Sequence, residues 1–187
     1  MKLGIIDYGS GNLHSVEHAL VHAAAEIKGA SSVERVTTAA ELGMCDQIVL
    51  PGVGHFADCR NGLMAVDGMV EALRDAVMIR GRPFLGICVG MQVLFEKSTE
   101  HSGEGFFEGL NEWPGTVEKL VAPVLPHMGW NNVAPANNSQ MFSGVETERF
   151  YFVHSYAARK WELDPHEMLA APKVSWANHG EYFVAAV

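Results

Sequence analysis

Residues 83–92 read PFLGICVGMQ, and the fold and the chemistry can both be approached from this stretch. Its apolar first half is typical of a buried strand, and the glycines flanking Cys88 indicate a sharp turn into a helix. Such a Gly-x-Cys-x-Gly turn holds the thiol at a helix N-terminus, where partial positive charge favours the thiolate. It also aims the Val89 N–H at an oxyanion formed beside the sulfur. The motif therefore indicates a nucleophilic cysteine; the alternative is a structural cysteine buried in a glycine-rich turn.

Strand-like runs and helical periodicity alternate through the first half of the chain. Apolar residues of the first helix recur at helical spacing, at Leu13, Val16, Leu20, Ala23, Ala24 and Ile27. The other elements predicted here are strands at Lys2–Ile6, 47–50 and 83–87 and helices at 57–64, 69–79 and about 90–97. This order is typical of an α/β fold, an open and mostly parallel sheet with helices on both faces.

The second half of the chain reads as a series of strands with little helix between them. The runs are TVEKLV (116–121), GWNNVA (129–134), RFYFVHSY (149–156), MLAA (168–171) and EYFVAAV (181–187). Strands joined without helices favour antiparallel pairing, so we expect antiparallel strands in the C-terminal half. No repeat or linker interrupts the sequence, which predicts a single domain over residues 1–187.

Two further glycine-rich corners follow strands, where open parallel sheets bind ligands. In PGVG (51–54), the backbone of Gly52, Val53 and Gly54 can point N–H groups at a carbonyl oxygen, as the other half of an oxyanion hole. In GSGN (9–12), His14 stands where a dinucleotide fingerprint has its third glycine. We therefore expect no cofactor, a nicotinamide included, and a polar loop for a ligand or partner remains open.

A stripe of histidines marks the first helix. His14, His18 and His22 are four residues apart and lie opposite the apolar positions of that helix. A His-x-x-x-His pair can bind metal, but no cysteine or carboxylate completes the set. The stripe therefore predicts a solvent face and no metal site.

The general base that a thiol nucleophile needs is the difficult residue. The later histidines available for that role are His127, His154, His166 and His179. His179 and Glu181 place an imidazole and a carboxylate two residues apart. However, ANHGE (177–181) lies between two strand-like runs and reads as a hairpin turn, so none of these histidines is a convincing base.

The composition excludes several classes of function. Lys and Arg number 13 against 22 Asp and Glu, and the formal charge of −9 argues against a general binder of nucleic acid or anionic membranes. No apolar run approaches the roughly 20 residues of a membrane span. Cys45, Cys59 and Cys88 follow no CxxC spacing, so neither a disulfide framework nor a zinc site is indicated. We expect a soluble cytoplasmic protein.

From Met1 to Val187 the chain resembles the class I (Cys-His-Glu) glutamine amidotransferases, and among them the family of amidotransferase subunits of imidazole glycerol phosphate synthase. The blocks that carry the resemblance are IIDYGSGNLHSV (5–16), LPGVGHF (50–56), PFLGICVGMQVLFE (83–96), LPHMGWN (125–131), FYFVHSY (150–156) and FVAAV (183–187). The cysteine turn and PGVG fit several amidotransferases. DYGSGN, PHMGWN and FVHSY single out this family.

The resemblance implies a flavodoxin-like sheet and a role for each motif residue. Cys88 would attack the side-chain amide of glutamine, and N–H groups of Val89 and the 52–54 loop would stabilise the oxyanion. Ammonia would leave, and water would hydrolyse the glutamyl thioester to glutamate. The residues implied to hold the substrate are Gln92, Gly54, His154, Ser155 and Tyr156. His154 is thus implied to be a substrate residue and not the base.

The resemblance also implies a partner, a cyclase subunit with a (β/α)8 barrel, in a heterodimer. The residues implied to face it are Tyr8, Asn12, Trp130 and Asn131, within the segments 8–12 and 128–132. Ammonia would pass through the barrel to a bound nucleotide. The products would be imidazole glycerol phosphate and an aminoimidazole carboxamide ribotide, in histidine biosynthesis.

This sequence differs from the family pattern at one point. Family members follow the FVAAV strand with a segment containing a His-Pro-Glu motif that completes the triad, and the 187 residues end at Val187. We expect the chain as given to lack this segment and to have little glutaminase activity, because removing the base from such a unit costs several orders of magnitude. The alternatives left open are another class I amidotransferase, a related cysteine hydrolase or peptidase, and a chain that only docks to the cyclase.

Overall fold

The computed structural model describes residues 1–26, 32–101, 103, 105–162 and 172–187, which fall into the units Met1–Leu94 and Phe95–Val187. Each unit has its own sheets and is described by itself. The expectation of one domain over residues 1–187 stays a prediction. No helix within the described ranges is long and apolar enough to cross a membrane.

Four parallel strands form the sheet of the first unit, in the order β2-β1-β3-β4. The strands are β1 (Lys2–Ile6), β2 (Ser32–Val36), β3 (Gln47–Gly52) and β4 (Phe84–Cys88). The helices are α1 (Leu13–Glu26), α2 (Ala39–Gly43), α3 (Phe56–Ala65), α4 (Met69–Arg74) and α5 (Val89–Gln92), and a π-helical turn Asp75–Ile79 follows α4. Buried apolar residues dominate β1 and β3, as parallel strands covered by other elements require. The predicted parallel α/β sheet is confirmed.

The sequence predictions for the first unit missed α2 (Ala39–Gly43), and they differ from the observed elements at two further places. The helix expected at about 90–97 ends at Gln92, because the buried run that follows enters a strand at Phe95 and pairs with a distant segment. Strand β2 was not predicted, since its sequence SVERV is short, polar and largely exposed. The face of α1 that carries His14, His18 and His22 is exposed as expected. Ile27, expected on the apolar face of α1, lies outside the described residues.

The second unit is built from short strands. They are β5 (Phe95–Ser98), β6 (Phe107–Glu108), β7 (Trp113–Lys119), β8 (His127–Asn132), β9 (Arg149–His154), β10 (Tyr156–Ala158), β11 (Ser175–His179) and β12 (Glu181–Ala186). One sheet has the order β10-β7-β5-β6, in which only β5 and β7 are parallel, and β8–β9 and β11–β12 form antiparallel pairs. The predicted antiparallel strands are confirmed. The MLAA run and His166 lie outside the described residues.

Candidate active site

The turn between β4 and α5 presents Cys88 at the surface. Its backbone has φ 56° and ψ −117°, a conformation that L-residues rarely adopt, and its side chain is exposed. A non-glycine residue in such a conformation costs roughly 1–3 kcal/mol and persists only where its surroundings hold it. The alternative of a buried structural cysteine does not describe this residue. The backbone is that of a nucleophile elbow.

Glycines allow the end of β3 to lie directly against α5. A Cβ atom added to Gly90 would overlap the carbonyl oxygen of Leu50, and one added to Gly52 would lie 2.8 Å from the carbonyl carbon of Val89. Side chains cannot be accommodated at either position without moving the backbone. The close approach holds the elbow against the sheet, and Gly52 lies opposite Cys88 in the register of β3 and β4.

The electrostatic argument for Cys88 is weaker than the sequence predicts. The expected helix of about two turns is one turn, Val89–Gln92, so few peptide dipoles add along its axis. Cys88 occupies the N-cap position, and the N–H groups of this first turn therefore remain the local source of positive charge. Val89 and Gln92 are both buried beneath the elbow.

The PGVG loop is anchored by side chains that follow β1 and lie on α3. The Tyr8 hydroxyl donates to the Pro51 carbonyl oxygen at 2.7 Å. The carbonyl oxygen of Val53 accepts from Ser10 Oγ at 2.9 Å and from Cys59 Sγ at 3.3 Å. Because a trans peptide holds its C=O and N–H in opposite directions, the Gly54 N–H points away from Ser10 and Cys59. The loop therefore has a defined conformation with its Val53 carbonyl turned to the protein.

Sequence reasoning missed Ser10 and Cys59 as residues that hold this loop. Cys59 lies six residues after Val53, on the first turn of α3, and is buried. Ser10 belongs to the GSGN corner, which the sequence predicts only as a polar loop. The one signal in the sequence was that glycine-rich corners follow several parallel strands and could therefore lie close together. The GSGN and PGVG corners do meet here.

Tyr8 and Asn12, implied by the resemblance to face a partner, have local roles in the first unit. Tyr8 is buried, and burial raises the pKa of its phenol well above the ordinary value of 10. Asn12 is exposed at the start of α1, and its side-chain oxygen accepts from the Ser15 N–H at 3.3 Å, as an N-cap residue does. Their place at a partner interface stays a prediction.

The 154–156 segment, implied to bind substrate, lies in the second unit at the junction of β9 and β10. His154 Nδ1 is 3.0 Å from the Tyr156 carbonyl oxygen, so the imidazole spans the residue between them. The Ser155 carbonyl oxygen accepts from the Leu120 N–H at 2.9 Å. Both bonds fix the backbone of the segment.

His127 and Asn131 on β8 extend this network. His127 Nδ1 lies 3.0 Å from His154 Nε2, and Asn131 Nδ2 lies 3.2 Å from His127 Nε2. Burial, with the neighbouring imidazoles of His154 and His179, lowers the pKa of His127 to about 4. Burial also lowers the pKa of His154. Both rings are therefore neutral near pH 7.

One face of the β8–β9 pair is apolar and exposed. Its residues are Met128, Trp130, Tyr151 and Val153, all more than half exposed. In the register Trp130 lies opposite Tyr151, and their rings meet edge to face at 5.5 Å. We call these four residues the outer face of β8–β9. Clustered apolar residues of this kind mark interaction surfaces.

His179 and Glu181 are register partners in the β11–β12 pair, and their side chains contact different groups. His179 Nε2 contacts the Val124 carbonyl oxygen at 2.8 Å. Glu181 accepts from Arg159 Nε at 2.8 Å and from the Val121 N–H at 2.6 Å. The predicted hairpin is confirmed, but its turn is shorter than the 177–181 expected, because β11 runs to His179 and β12 begins at Glu181. Among the described residues, no group of three or more His, Cys, Asp or Glu could hold a metal ion.

The comparison with protein families decides the chain's kinship. The family model described as glutamine amidotransferase class-I matches residues 4–186. The chain belongs to the class I glutamine amidotransferase family. A solved structure titled "Crystal structure of glutamine amidotransferase" matches 97% of this chain and 86% of that one, with a TM-score of 0.64 at 15% identity, which confirms the fold.

Curated class I relatives are much closer in sequence, and each is named imidazole glycerol phosphate synthase subunit HisH. The Nocardia farcinica protein is 53% identical over 188 residues, which include all of this chain and 84% of the relative. The Thermobifida fusca protein is 49% identical, with 84% of its length covered, and the Streptomyces coelicolor protein 46%, with 80% covered. Within class I, the chain therefore belongs with the HisH subunits. This membership favours an amidotransferase over a cysteine peptidase.

Proposed function

We propose that the chain is the glutaminase subunit of an imidazole glycerol phosphate synthase. It hydrolyses glutamine to glutamate and ammonia and delivers the ammonia to a cyclase subunit, in cytoplasmic histidine biosynthesis. The observation that carries the proposal is the exposed Cys88 at a strained, glycine-flanked elbow in a chain of this family. The similarity to relatives named HisH supports imidazole glycerol phosphate synthase as the enzyme to which this subunit belongs.

The elbow gives the sulfur its role as nucleophile. Cys88 Sγ attacks the side-chain amide carbon of glutamine, and a C–S bond forms as the carbonyl oxygen takes the negative charge. The amide nitrogen of the tetrahedral intermediate takes up the proton that the thiol has lost, the C–N bond breaks, and ammonia leaves behind a glutamyl thioester. A water molecule then adds to the thioester, and glutamate is released as the thiol re-forms.

The oxyanion of both steps needs donors that are already in place. The Val89 N–H follows Cys88 directly and belongs to the first turn of α5. The 52–54 loop is the second source, because Gly52 pairs with Cys88 and the Val53 carbonyl is held by other donors. Gln92, which is buried in α5, and Gly54 are the other residues of the first unit that we propose to contact the substrate.

The partner that we propose is a cyclase subunit with a (β/α)8 barrel. The outer face of β8–β9 supports a docking role because an exposed Trp and Tyr at its centre are the residue types that dominate binding energy at interfaces. Trp130, implied to face the partner, lies on this outer face, whereas the side chain of Asn131, the next residue of β8, contacts His127 and Asn178. A closed barrel protects ammonia from water, where it would become ammonium and lose its nucleophilicity.

A chloroketone analogue of glutamine tests the proposal directly. We expect it to alkylate Cys88, as shown by peptide mass mapping, and excess glutamine to slow the labelling. Cys45 and Cys59 are buried and serve as internal controls, and Cys88→Ala should remain unlabelled. Labelling of Cys45 or Cys59 with Cys88 untouched would refute the proposal.

A further inference from the structure

Side chains of β8 and β9 form a chain of hydrogen bonds whose direction is fixed at both ends. At one end the Tyr156 carbonyl oxygen can only accept, so His154 Nδ1 must carry a proton. At the other end Asn131 Nδ2 donates to the Asn178 carbonyl oxygen at 2.8 Å, while its Oδ1 accepts from the Asn132 N–H at 2.8 Å. These two contacts determine the orientation of the Asn131 amide.

The fixed ends leave one arrangement of protons for the middle. A neutral His154 with its proton on Nδ1 has Nε2 as an acceptor, so His127 Nδ1 must donate across the 3.0 Å between them. His127 Nε2 is then an acceptor and receives the second amide proton of Asn131 at 3.2 Å. The order of donation is Asn131 to His127, His127 to His154, and His154 to the Tyr156 carbonyl.

Protonation of His154 would break this chain of hydrogen bonds. A proton on His154 Nε2 would turn His127 Nδ1 into an acceptor, and His127 Nε2–H would then oppose the amide protons of Asn131. The His127 side chain is 4% exposed, so water cannot easily replace the lost partner. The lowered pKa values of both rings agree with a chain built from neutral imidazoles.

Aromatic packing holds the central ring in place. The His127 ring lies nearly parallel to Phe152, at 4.8 Å between centroids, and to His179, at 4.2 Å. Phe183 meets the rings of His127 and His154 at 5.7 Å and 4.7 Å. Because the His127 ring cannot turn freely, the position of its Nδ1–H sets the orientation of His154.

We propose that His127 and Asn131 are positioning residues that hold the 154–156 segment in the conformation that binds glutamine. The inference rests on the proposed function and on the substrate role that the resemblance implies for this segment. His127 acts through His154, and Asn131 acts through His127, so neither needs to touch glutamine. The order of donation requires an N–H group at the position of His127 Nδ1.

Two substitutions of His127 separate positioning from general stability. The amide nitrogen of asparagine reaches about as far as Nδ1 of histidine, and that of glutamine about as far as Nε2. His127→Gln therefore removes the donor to His154 while His127→Asn keeps one. In the protein that carries the His-Pro-Glu segment implied by the resemblance and is assembled with its cyclase partner, we expect His127→Gln to raise the KM for glutamine about tenfold with kcat changed less than about twofold. His127→Asn should recover most of that loss.

His22→Gln, on the exposed face of α1, controls for the loss of a histidine and should leave both constants unchanged. An equal rise in KM for His127→Gln and His127→Asn would mean that the residue acts only through stability, and would overturn the proposal. An unchanged KM in His127→Gln would overturn it as well.

The histidine tautomers test the chain without any turnover. In ¹⁵N spectra of the histidine-labelled wild-type protein above pH 7, His127 and His154 should both carry the proton on Nδ1 and none on Nε2. A proton on Nε2 of either ring would overturn the inference. The expected tautomers in a wild-type protein that fails to bind glutamine would instead overturn the proposed function and the substrate role of the segment, and the chain of hydrogen bonds would stand.

Discussion

Position 90 has room for a hydrogen atom and nothing larger. A Cβ atom there would overlap the Leu50 carbonyl oxygen, and the neighbouring backbone belongs to the sheet and cannot move alone. Gly90→Ala should therefore lower the free energy of unfolding by about 1–3 kcal/mol or more, as overpacking does in a filled core. Urea denaturation followed by circular dichroism measures the change.

Gly43→Ala is the matched control for that substitution. Gly43 ends α2, and a Cβ added to it meets nothing within 4 Å. We expect this variant to be as stable as the wild type or more stable by about 0.4–1 kcal/mol, because alanine loses less backbone entropy on folding. If both alanine variants lost the same stability, the contact with Leu50 would not be the cause.

Tyr8 gives a second test at the scale of one residue. Tyr8→Phe removes the hydroxyl that donates to the Pro51 carbonyl oxygen and leaves that oxygen without this donor in a buried place. The cost should be about 1–3 kcal/mol in the free energy of unfolding. Tyr182→Phe, at a well exposed tyrosine, should change stability little in the same experiment.

The 51–54 loop is an element whose conformation depends on residues outside it. Ser10→Ala and Cys59→Ala each remove one donor to the Val53 carbonyl oxygen, at a cost of about 0.5–1.5 kcal/mol for each hydrogen bond. We expect faster amide hydrogen exchange at Val53 and Gly54 in both variants. Exchange as slow as in the wild type would show that the loop is held by its own backbone.

Strands β8 and β9 should lose stability in acid. The pKa of His127 is lowered to about 4 in the folded chain, against an ordinary value near 6.5, and that of His154 is also lowered. The unfolded chain therefore binds more protons between those values, so the free energy of unfolding falls as pH drops from about 6.5 towards 4. The ionisable side chains that face His127 are His154 and His179.

Unfolding curves at pH 7.5 and pH 5 measure this dependence. His127→Asn cannot be protonated and should flatten the change in stability between the two pH values. An unaltered slope in that variant would place the source of any acid sensitivity elsewhere in the chain.

At the scale of the whole molecule, we expect the outer face of β8–β9 to decide association with the proposed cyclase partner. Trp130→Ala removes a ring that is 60% exposed in the unbound chain, and a central aromatic residue of this kind typically contributes about 2 kcal/mol or more to binding. We expect at least about a tenfold rise in Kd by calorimetry. Met78→Ala, equally exposed on the π-helical turn, is the control and should bind normally.

Local rules predicted the parts of the fold that depend on neighbouring residues. The elbow at Cys88, the hairpin at 177–181 and the solvent face of α1 each follow from spacing within a few positions, and the structure has all three. Strand β5 could not be predicted in that way, because Phe95 belongs to a strand only through its pairing with Trp113. Local apolar periodicity favoured a helix there.

In the candidate site, too, the sequence predicted features that depend on neighbouring residues and missed those that depend on distant strand pairing. Cys88 and the PGVG loop carry signatures in their own sequence. His127 was considered only as a base, because its real neighbour, His154, is brought opposite it by the register of β8 and β9. Nothing in the residues around either histidine specifies that register.

The exposure of Trp130 in the Trp130–Tyr151 pair also gives the protein an intrinsic fluorescent reporter of binding. Trp130 is the exposed member of the four tryptophans, and Trp113, Trp161 and Trp176 are each partly shielded. Its emission therefore reports water at the outer face of β8–β9. A blue shift on mixing with the cyclase would register the departure of that water without any dye, and the same signal timed in a stopped-flow instrument would give the rate of assembly.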